Sequence, residues 1–395
     1  MKLSRRVTEQ PPYLFAEIDR ARARAKARGL DVVSMGIADP DLPPPDWMFD
    51  LLQEEIRHSG FHRYPDYKGF PDYLSAVAGW MKARFGVTLD PQTEVMTLLG
   101  GKEGVAHIAW ALCDPGDVAL IPEPAYPVYN TNSLYAGAQI HFLGLTQENG
   151  FLPDLGSIPD DVARRATLIY VNYPNNPTGA CAPREFFLEL LAFAEKYDLA
   201  VLSDNPYTEI YFNDQDRPMS ILEIPGAMER CLEFNSFSKT LNMTGWRIGW
   251  AAGNAKLVNA LLTIKSNVDS GQFNAIQMSL ARALAHPELQ GFLEGNRRRI
   301  KARRDMVAQA LDKMGIWHPD PKATLYFWCK LPEARGGDDI KFAGDLLETE
   351  GFVVGPGSAY GPHGKGYFRL SLTTPEDDIR KGLSRLEAFL NRKAT

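Results

Sequence analysis

From about residue 46 to residue 286 the chain alternates between short apolar runs and segments of helical period, and no other feature limits its fold as much. Strands are expected at 95–99, 118–121, 139–143, 168–172, 199–204, 232–234 and 248–252, most of them mainly apolar. Helical spacing covers 47–57, 71–85, 185–197 and a stretch near 126–135, and a further helix is expected after Gly100-Gly101. Strands separated by helices cannot pair as tight hairpins, so they pair in parallel through crossovers. Runs that stay apolar throughout are covered on both faces. The expectation is an α/β unit over 46–286, with a mostly parallel central sheet and helices on both faces.

The flanks follow other patterns. Leu14, Phe15, Ile18, Ala21 and Ala25 recur at three- and four-residue spacing, with Glu17 and Asp19 early, basic residues from Arg20 to Arg28 late and Gly29 just beyond. That suits the helix dipole and a glycine C-cap. The basic stretch reads either as a solvated helix face or as an arm for a membrane surface or RNA. Asp39-Pro40-Asp41-Leu42-Pro43-Pro44-Pro45 is extended, because each proline restricts the residue before it. Beyond 287 come a long helix over 289–314, strands over 323–330 and 366–372, and a closing helix over 376–392. Without strict alternation these predict a smaller α+β domain. The expected division is an N-terminal arm (1–45) belonging in part to the small domain, a large domain (46–286) and a small C-terminal domain (287–395).

Composition removes several function classes. The 43 basic and 49 acidic residues leave a net charge of −6, which argues against a nucleic-acid partner. Seven His and four Cys are too scattered for a metal scaffold, and Cys113, Cys181, Cys231 and Cys329 form no CxxC pair, so no metal is expected. Four separate thiols fit a reducing cytoplasm. The first ten residues lack the apolar segment of a signal peptide. No apolar run approaches the ~20 residues that span a bilayer, so no membrane partner is expected.

The most informative stretch is Asn235-Ser236-Phe237-Ser238-Lys239-Thr240, followed by Gly245-Trp246-Arg247-Ile248-Gly249. Lys239 is either a solvated loop lysine or a Schiff-base lysine, with Ser236 and Arg247 offering a hydroxyl and a cation to a phosphate. Other segments end strands on the rim where open α/β sheets bind ligands. Asn172-Tyr173-Pro174-Asn175-Asn176-Pro177-Thr178-Gly179 follows one strand, and Asp204-Asn205-Pro206-Tyr207 ends the next. Asp204 could also cap a helix, and Asn176 could simply make a turn. Gly100-Gly101-Lys102-Glu103-Gly104 joins a strand to a helix, a place for backbone N–H groups to hold a phosphate. It is neither GxGxxG nor GxxxxGK[ST].

Taken in order, Gly101-Lys102, Pro124-Ala125-Tyr126, Asn175 to Gly179, Asp204 to Tyr207, Ser236 to Lys239, Arg247 and Tyr367-Phe368-Arg369-Leu370-Ser371 resemble the class I/II aminotransferases, the fold type I enzymes that use pyridoxal 5′-phosphate. The resemblance implies that Lys239 holds the cofactor as a Schiff base and shuttles the proton, that Asp204 pairs with the pyridine nitrogen, and that Tyr207 and Asn176 bond the 3′ oxygen. It implies that Tyr126 stacks on the ring, and that Gly101, Lys102, Ser236, Ser238 and Arg247 hold the phosphate. Arg369 would clamp the substrate carboxylate, with Asn176, Ile37 and Ala38 beside it. Ala38 departs from the pattern, since the family usually has glycine there. Tyr64 resembles the tyrosine that reaches the phosphate of a neighbouring subunit, which implies a homodimer with shared sites.

Finer segments look most like the bacterial LL-diaminopimelate aminotransferases: His62-Arg63-Tyr64-Pro65, Lys102-Glu103-Gly104, Asp114-Pro115-Gly116-Asp117 and Glu148 to Asp154. That implies amino transfer between LL-diaminopimelate and 2-oxoglutarate. Alanine-type transaminases share the segment around Lys239, so transfer from alanine, glutamate or aspartate stays open, as does a β-lyase built on the same lysine.

Overall fold

The computed structural model describes residues 1–8 and 14–392; the side chains of Leu14 and Phe15, expected on the first helix's apolar face, lie outside the described residues. The centre is a seven-stranded sheet. Its strands are β1 (Val95–Leu98), β2 (Val118–Glu123), β3 (Gln139–Gly144), β4 (Ala166–Val171), β5 (Ala200–Asp204), β6 (Cys231–Ser236) and β7 (Gly249–Gly253). The spatial order is β1-β7-β6-β5-β4-β2-β3. Only β7 runs antiparallel to its neighbours. Strands β1, β2, β6 and β7 are buried at every position, as doubly covered strands must be. The expected mostly parallel α/β fold is thus what forms. Glycine admits the tight β6–β7 approach: a Cβ at Gly249 would lie 2.4 Å from the Asn235 carbonyl oxygen.

Strand and helix ends moved where local caps intervene. The run expected to start at Leu199 begins at Ala200, because Asp198 takes a left-handed φ of 57° and the Leu199 N–H closes the preceding helix on the Ala194 carbonyl. The strand expected from residue 323 begins at Tyr326, since Thr324 sits at φ 74°. The helix Asn274–Ala283 escaped the sequence pattern because its buried face mixes Asn274, Gln277 and Ser279 with Ala275, Leu280 and Ala283, which interrupts the apolar period.

A second core lies beyond the sheet. Val33 and Met35 join Phe327, Phe352, Phe368, Leu370 and Leu386 there. A three-stranded antiparallel sheet lines it, with Tyr367–Ser371 between Gly355–Pro356 and Tyr326–Lys330. The helix Leu289–Lys313 serves both cores, giving Leu289 and Leu293 to the first and Ile300, Val307 and Leu311 to the second. The helix Leu14–Ala27 packs Ile18, Ala21 and Ala25 against Leu347 and Val353. Its basic residues are therefore the outer face of a packed helix, with Arg22 3.1 Å from Asp19 and Arg28 bonded to Glu348. Among the described residues, no helix is long and apolar enough to cross a membrane.

Candidate functional site

The carboxyl ends of the sheet strands open into a cavity of about 440 Å³. Asn172 and Asn176 follow β4, Asp204 ends β5, Ser236 ends β6, Gly101 follows β1 and Arg247 precedes β7; all line it. Ile37, Ala38, Lys102, Tyr126, Tyr207, Ser238, Lys239 and Arg369 line it too. Every site residue read from the sequence except Tyr64 is therefore brought to one place. Tyr64 is 88% exposed and lies outside the cavity.

Sheet order spaces the charges. Adjacent strands lie ~4.8 Å apart, so the β1/β7 rim is on the order of 10 Å from the end of β5, with β6 between them. The rim carries Gly101, Lys102 and Arg247. Arg247 donates to the Thr244 carbonyl at 2.6 Å and the Leu99 carbonyl at 3.3 Å. It sits at φ 55°, a conformation a non-glycine residue holds only where its surroundings impose it. Glycine is favoured opposite, where Gly100 holds φ 81° and a Cβ would fall 2.5 Å from the Arg247 guanidinium and displace it. The helix Gly101–Leu112 points its N-terminus here, and Ser236 Oγ donates to Ser238 Oγ at 2.9 Å. Hydroxyls, cations and a helix start together make an anion cup.

Lys239 stands between the two ends, on the short helix Phe237–Thr240. Its Nζ donates to the Ala38 carbonyl at 2.7 Å. Burial lowers its amine to about 8; Asp39 opposes the shift, and Arg369 and Arg247 reinforce it. Such an amine supplies far more of its neutral, nucleophilic form near pH 7 than a solvated lysine does. Asp204 lies at the far end, pushed up to about 6 by burial, with the hydrogen bond from Tyr129 opposing. No helix begins after Asp204. Its carboxylate instead accepts the Tyr129 hydroxyl at 2.7 Å. The site can therefore hold an anion at the rim, an amine nucleophile in the middle and a ring or amine cation at Asp204.

The second core supplies a buried guanidinium. Arg369 is buried, donates to Asn176 Oδ1 at 2.7 Å and to the Gly36 carbonyl at 2.9 Å, and lies over Tyr326 with 4.2 Å to the ring centroid. The asparagine turn itself is held by Asn175 and Asn172: Asn175 Oδ1 accepts from Thr178, and Asn172 Oδ1 accepts the Asn176 N–H. That arrangement leaves the Asn176 side chain to Arg369.

Sequence reading missed several residues. Tyr129 lies in the first turn of the helix Val128–Ala136, three positions after Tyr126, and that proximity was the available signal. Tyr326, bonded to the Tyr207 hydroxyl at 2.8 Å, comes from a distant strand and left no local signal. Thr244 donates to Asp39 at 2.6 Å, and Asp19 reaches the cavity from the first long helix. Among the described residues, no cluster of His, Cys, Asp and Glu could hold a metal ion.

The sequence family described as aminotransferase class I and II matches residues 31–386. The chain belongs to that family. As a transaminase it has close relatives. It is 48% identical over 393 residues to the LL-diaminopimelate aminotransferase of Moorella thermoacetica, covering 99% of each chain. Among solved structures, substrate-bound BacF from Bacillus subtilis has a TM-score of 0.94 at 32% identity, with both chains covered fully. A probable N-succinyldiaminopimelate aminotransferase from Thermus thermophilus has a TM-score of 0.88 at 34% identity, covering 95% of this chain and 99% of its own. The fold type I architecture expected from the motifs is the one these neighbours share.

Proposed function

We propose that this transaminase uses pyridoxal 5′-phosphate to move the amino group of LL-diaminopimelate to 2-oxoglutarate. The observation that carries it is the placement of Lys239 between the anion cup and Asp204. A phosphorylated pyridine aldehyde needs those three partners in that order. The donor rests on the 48% identity to a relative that carries that substrate's name. When bound, the cofactor supplies an aldehyde for the amino nitrogen and a ring that accepts electrons.

The chain's own residues do the rest. Ser236, Ser238, Arg247 and the start of the helix Gly101–Leu112 hold the phosphate. Asp204 keeps a proton on the ring nitrogen, and Tyr126 covers the ring. Tyr207 and Asn176 steady the ring oxygen. Lys239 takes the proton from the substrate Cα. Arg369 orients the α-carboxylate, because a planar fork matches a carboxylate and lysine does not. Ile37 and Ala38 close the space beside it. Four free cysteines suit a cytoplasmic enzyme.

The donor is tested by glutamate formation from 2-oxoglutarate with LL-diaminopimelate, lysine, alanine, aspartate and an aromatic amino acid. A site pairing both charged ends of diaminopimelate rejects donors lacking the distal group by factors on the order of 10⁴ in kcat/KM. Higher kcat/KM for alanine or the aromatic donor would refute the substrate while leaving the cofactor standing. Arg369→Lys should weaken every donor by a similar ~10- to 100-fold, since all share the α-carboxylate. Selective loss of the long donor alone would make Arg369 a distal-group reader.

The working unit in this reading is a homodimer in which Tyr64 serves the neighbouring site. Its exposure outside its own cavity supports that role. Inactive Tyr64→Ala chains mixed with inactive Lys239→Ala chains should regain activity, since each heterodimer then holds one intact site. No recovery in a mixture shown to contain heterodimers would rule out sharing.

A further inference from the structure

Lys265 is fully buried, although it lies outside the cavity. An ammonium held out of water is strongly destabilising unless it is closely paired. Here it is paired twice. Its Nζ lies 3.1 Å from Glu103 Oε2 and 3.0 and 2.8 Å from the two oxygens of Asp269. Each carboxylate in turn holds backbone. Glu103 Oε2 accepts the Leu99 N–H at 3.0 Å, and Glu103 Oε1 meets His107 Nδ1 at 3.0 Å. Asp269 Oδ1 accepts the Gly271 N–H at 2.7 Å.

The two backbone segments so fixed lead to the anion cup from opposite sides. Leu99 and Glu103 bracket Gly100, Gly101 and Lys102, and the Leu99 carbonyl receives the Arg247 guanidinium. Gly271 precedes Gln272, whose side-chain amide donates to the Arg247 carbonyl. That bond is a restraint on Arg247, which holds φ 55°. The loop also braces the stretch after Tyr64: a Cβ at Gly271 would lie 2.9 Å from Pro65 Cγ. One lysine therefore ties the helix start, the arginine and the Tyr64 segment into a single frame.

We propose that Lys265, through Glu103 and Asp269, is a positioning residue that sets the phosphate end of the cofactor site. It touches neither cofactor nor substrate. The inference rests on the pyridoxal 5′-phosphate reading and adds the group that holds its anion cup in shape. Partners one shell out from a bound group typically change its affinity by about 10- to 100-fold when removed, the measured cases being metal sites.

The test uses the cofactor-free full chain titrated with pyridoxal 5′-phosphate and, separately, with pyridoxal, which has the same aldehyde and ring but no phosphate. In Lys265→Met the dissociation constant for the phosphorylated compound should rise about tenfold or more while that for pyridoxal stays within twofold. Glu103→Gln keeps the shape and can still accept from Leu99, but it loosens the ion pair. It should show the same selective loss in smaller degree, and it decides the matter if Lys265→Met fails to fold. Equal losses for both compounds would mean a general structural role and would overturn the proposal, as would unchanged affinities. Failure of the wild-type chain to bind either compound would instead sink the cofactor reading itself.

Discussion

Replacing Lys239 by alanine lowers turnover by at least about 10⁴-fold, because one side chain loses both the nucleophile and the general base. The fold should survive, since Lys239 bonds the Ala38 carbonyl from within a cavity and Asp39, the carboxylate it attracts, keeps its bond from the Thr244 hydroxyl. A melting temperature near that of the wild type would confirm that the loss is chemical. Pyridoxal 5′-phosphate should still bind through the cup, but no borohydride-reducible visible band should form. A small primary amine added from solution should restore part of the rate. Activity within tenfold of the wild type would remove Lys239 from the reaction.

The same residue sets a pH dependence. Only the neutral amine attacks an aldehyde, and burial brings the Lys239 amine to about 8 from the ordinary 10.5. Capture of pyridoxal 5′-phosphate by the cofactor-free protein should therefore quicken as pH rises and level off above about 8. A rate still climbing at pH 10 would place an ordinary, solvated lysine at the site.

Asp204→Asn should cost about 10² to 10³ in kcat, the usual effect of removing one preorganised charge from a reacting centre. Asparagine keeps the shape and can still accept the Tyr129 hydroxyl, but it cannot hold a proton on the ring nitrogen. The donor KM should change little, because Asp204 is placed at the ring and Arg369 at the carboxylate. A change of less than twofold in kcat would return Asp204 to a purely structural role. Stability gives an independent check. The folded carboxyl is raised to about 6 from 3.8, so the folded state binds the extra proton between those values. That contribution is present below about 3.8 and is lost as pH rises through about 6. Asp204→Asn should therefore flatten this part of the pH–stability curve of the cofactor-free protein.

Much of the fold is legible in the chain because a doubly covered sheet writes itself as unbroken apolar runs. Strands β1 and β4 are such runs save for one threonine each, whereas β6 carries the buried Glu233 and Asn235 between apolar residues; the ends of the three deliver Gly101, Asn176 and Ser236 to one rim. What escaped has a common cause: the decisive neighbour is distant in sequence. Tyr326 meets Tyr207 from 119 residues away. Lys265 closes the helix Ala255–Lys265, where the dipole favours a basic residue at the surface, yet it is paired in the interior with Glu103 from 162 residues away. The helix Asn274–Ala283 has a broken apolar pattern because hydrogen-bonded polar residues share its buried face with Ala275, Leu280 and Ala283; Gln277 holds the Phe70 N–H and the Gln272 carbonyl.

The attachment of pyridoxal 5′-phosphate to Lys239 can be read chemically. Borohydride reduction of the wild-type holoprotein, followed by digestion and mass spectrometry, tests it without relying on any variant. One reduced phosphopyridoxyl group per chain is expected, on the peptide containing Ser236 to Arg247 and located at Lys239. Label on Lys102, Lys265 or another lysine, or no stoichiometric label at all, would contradict it.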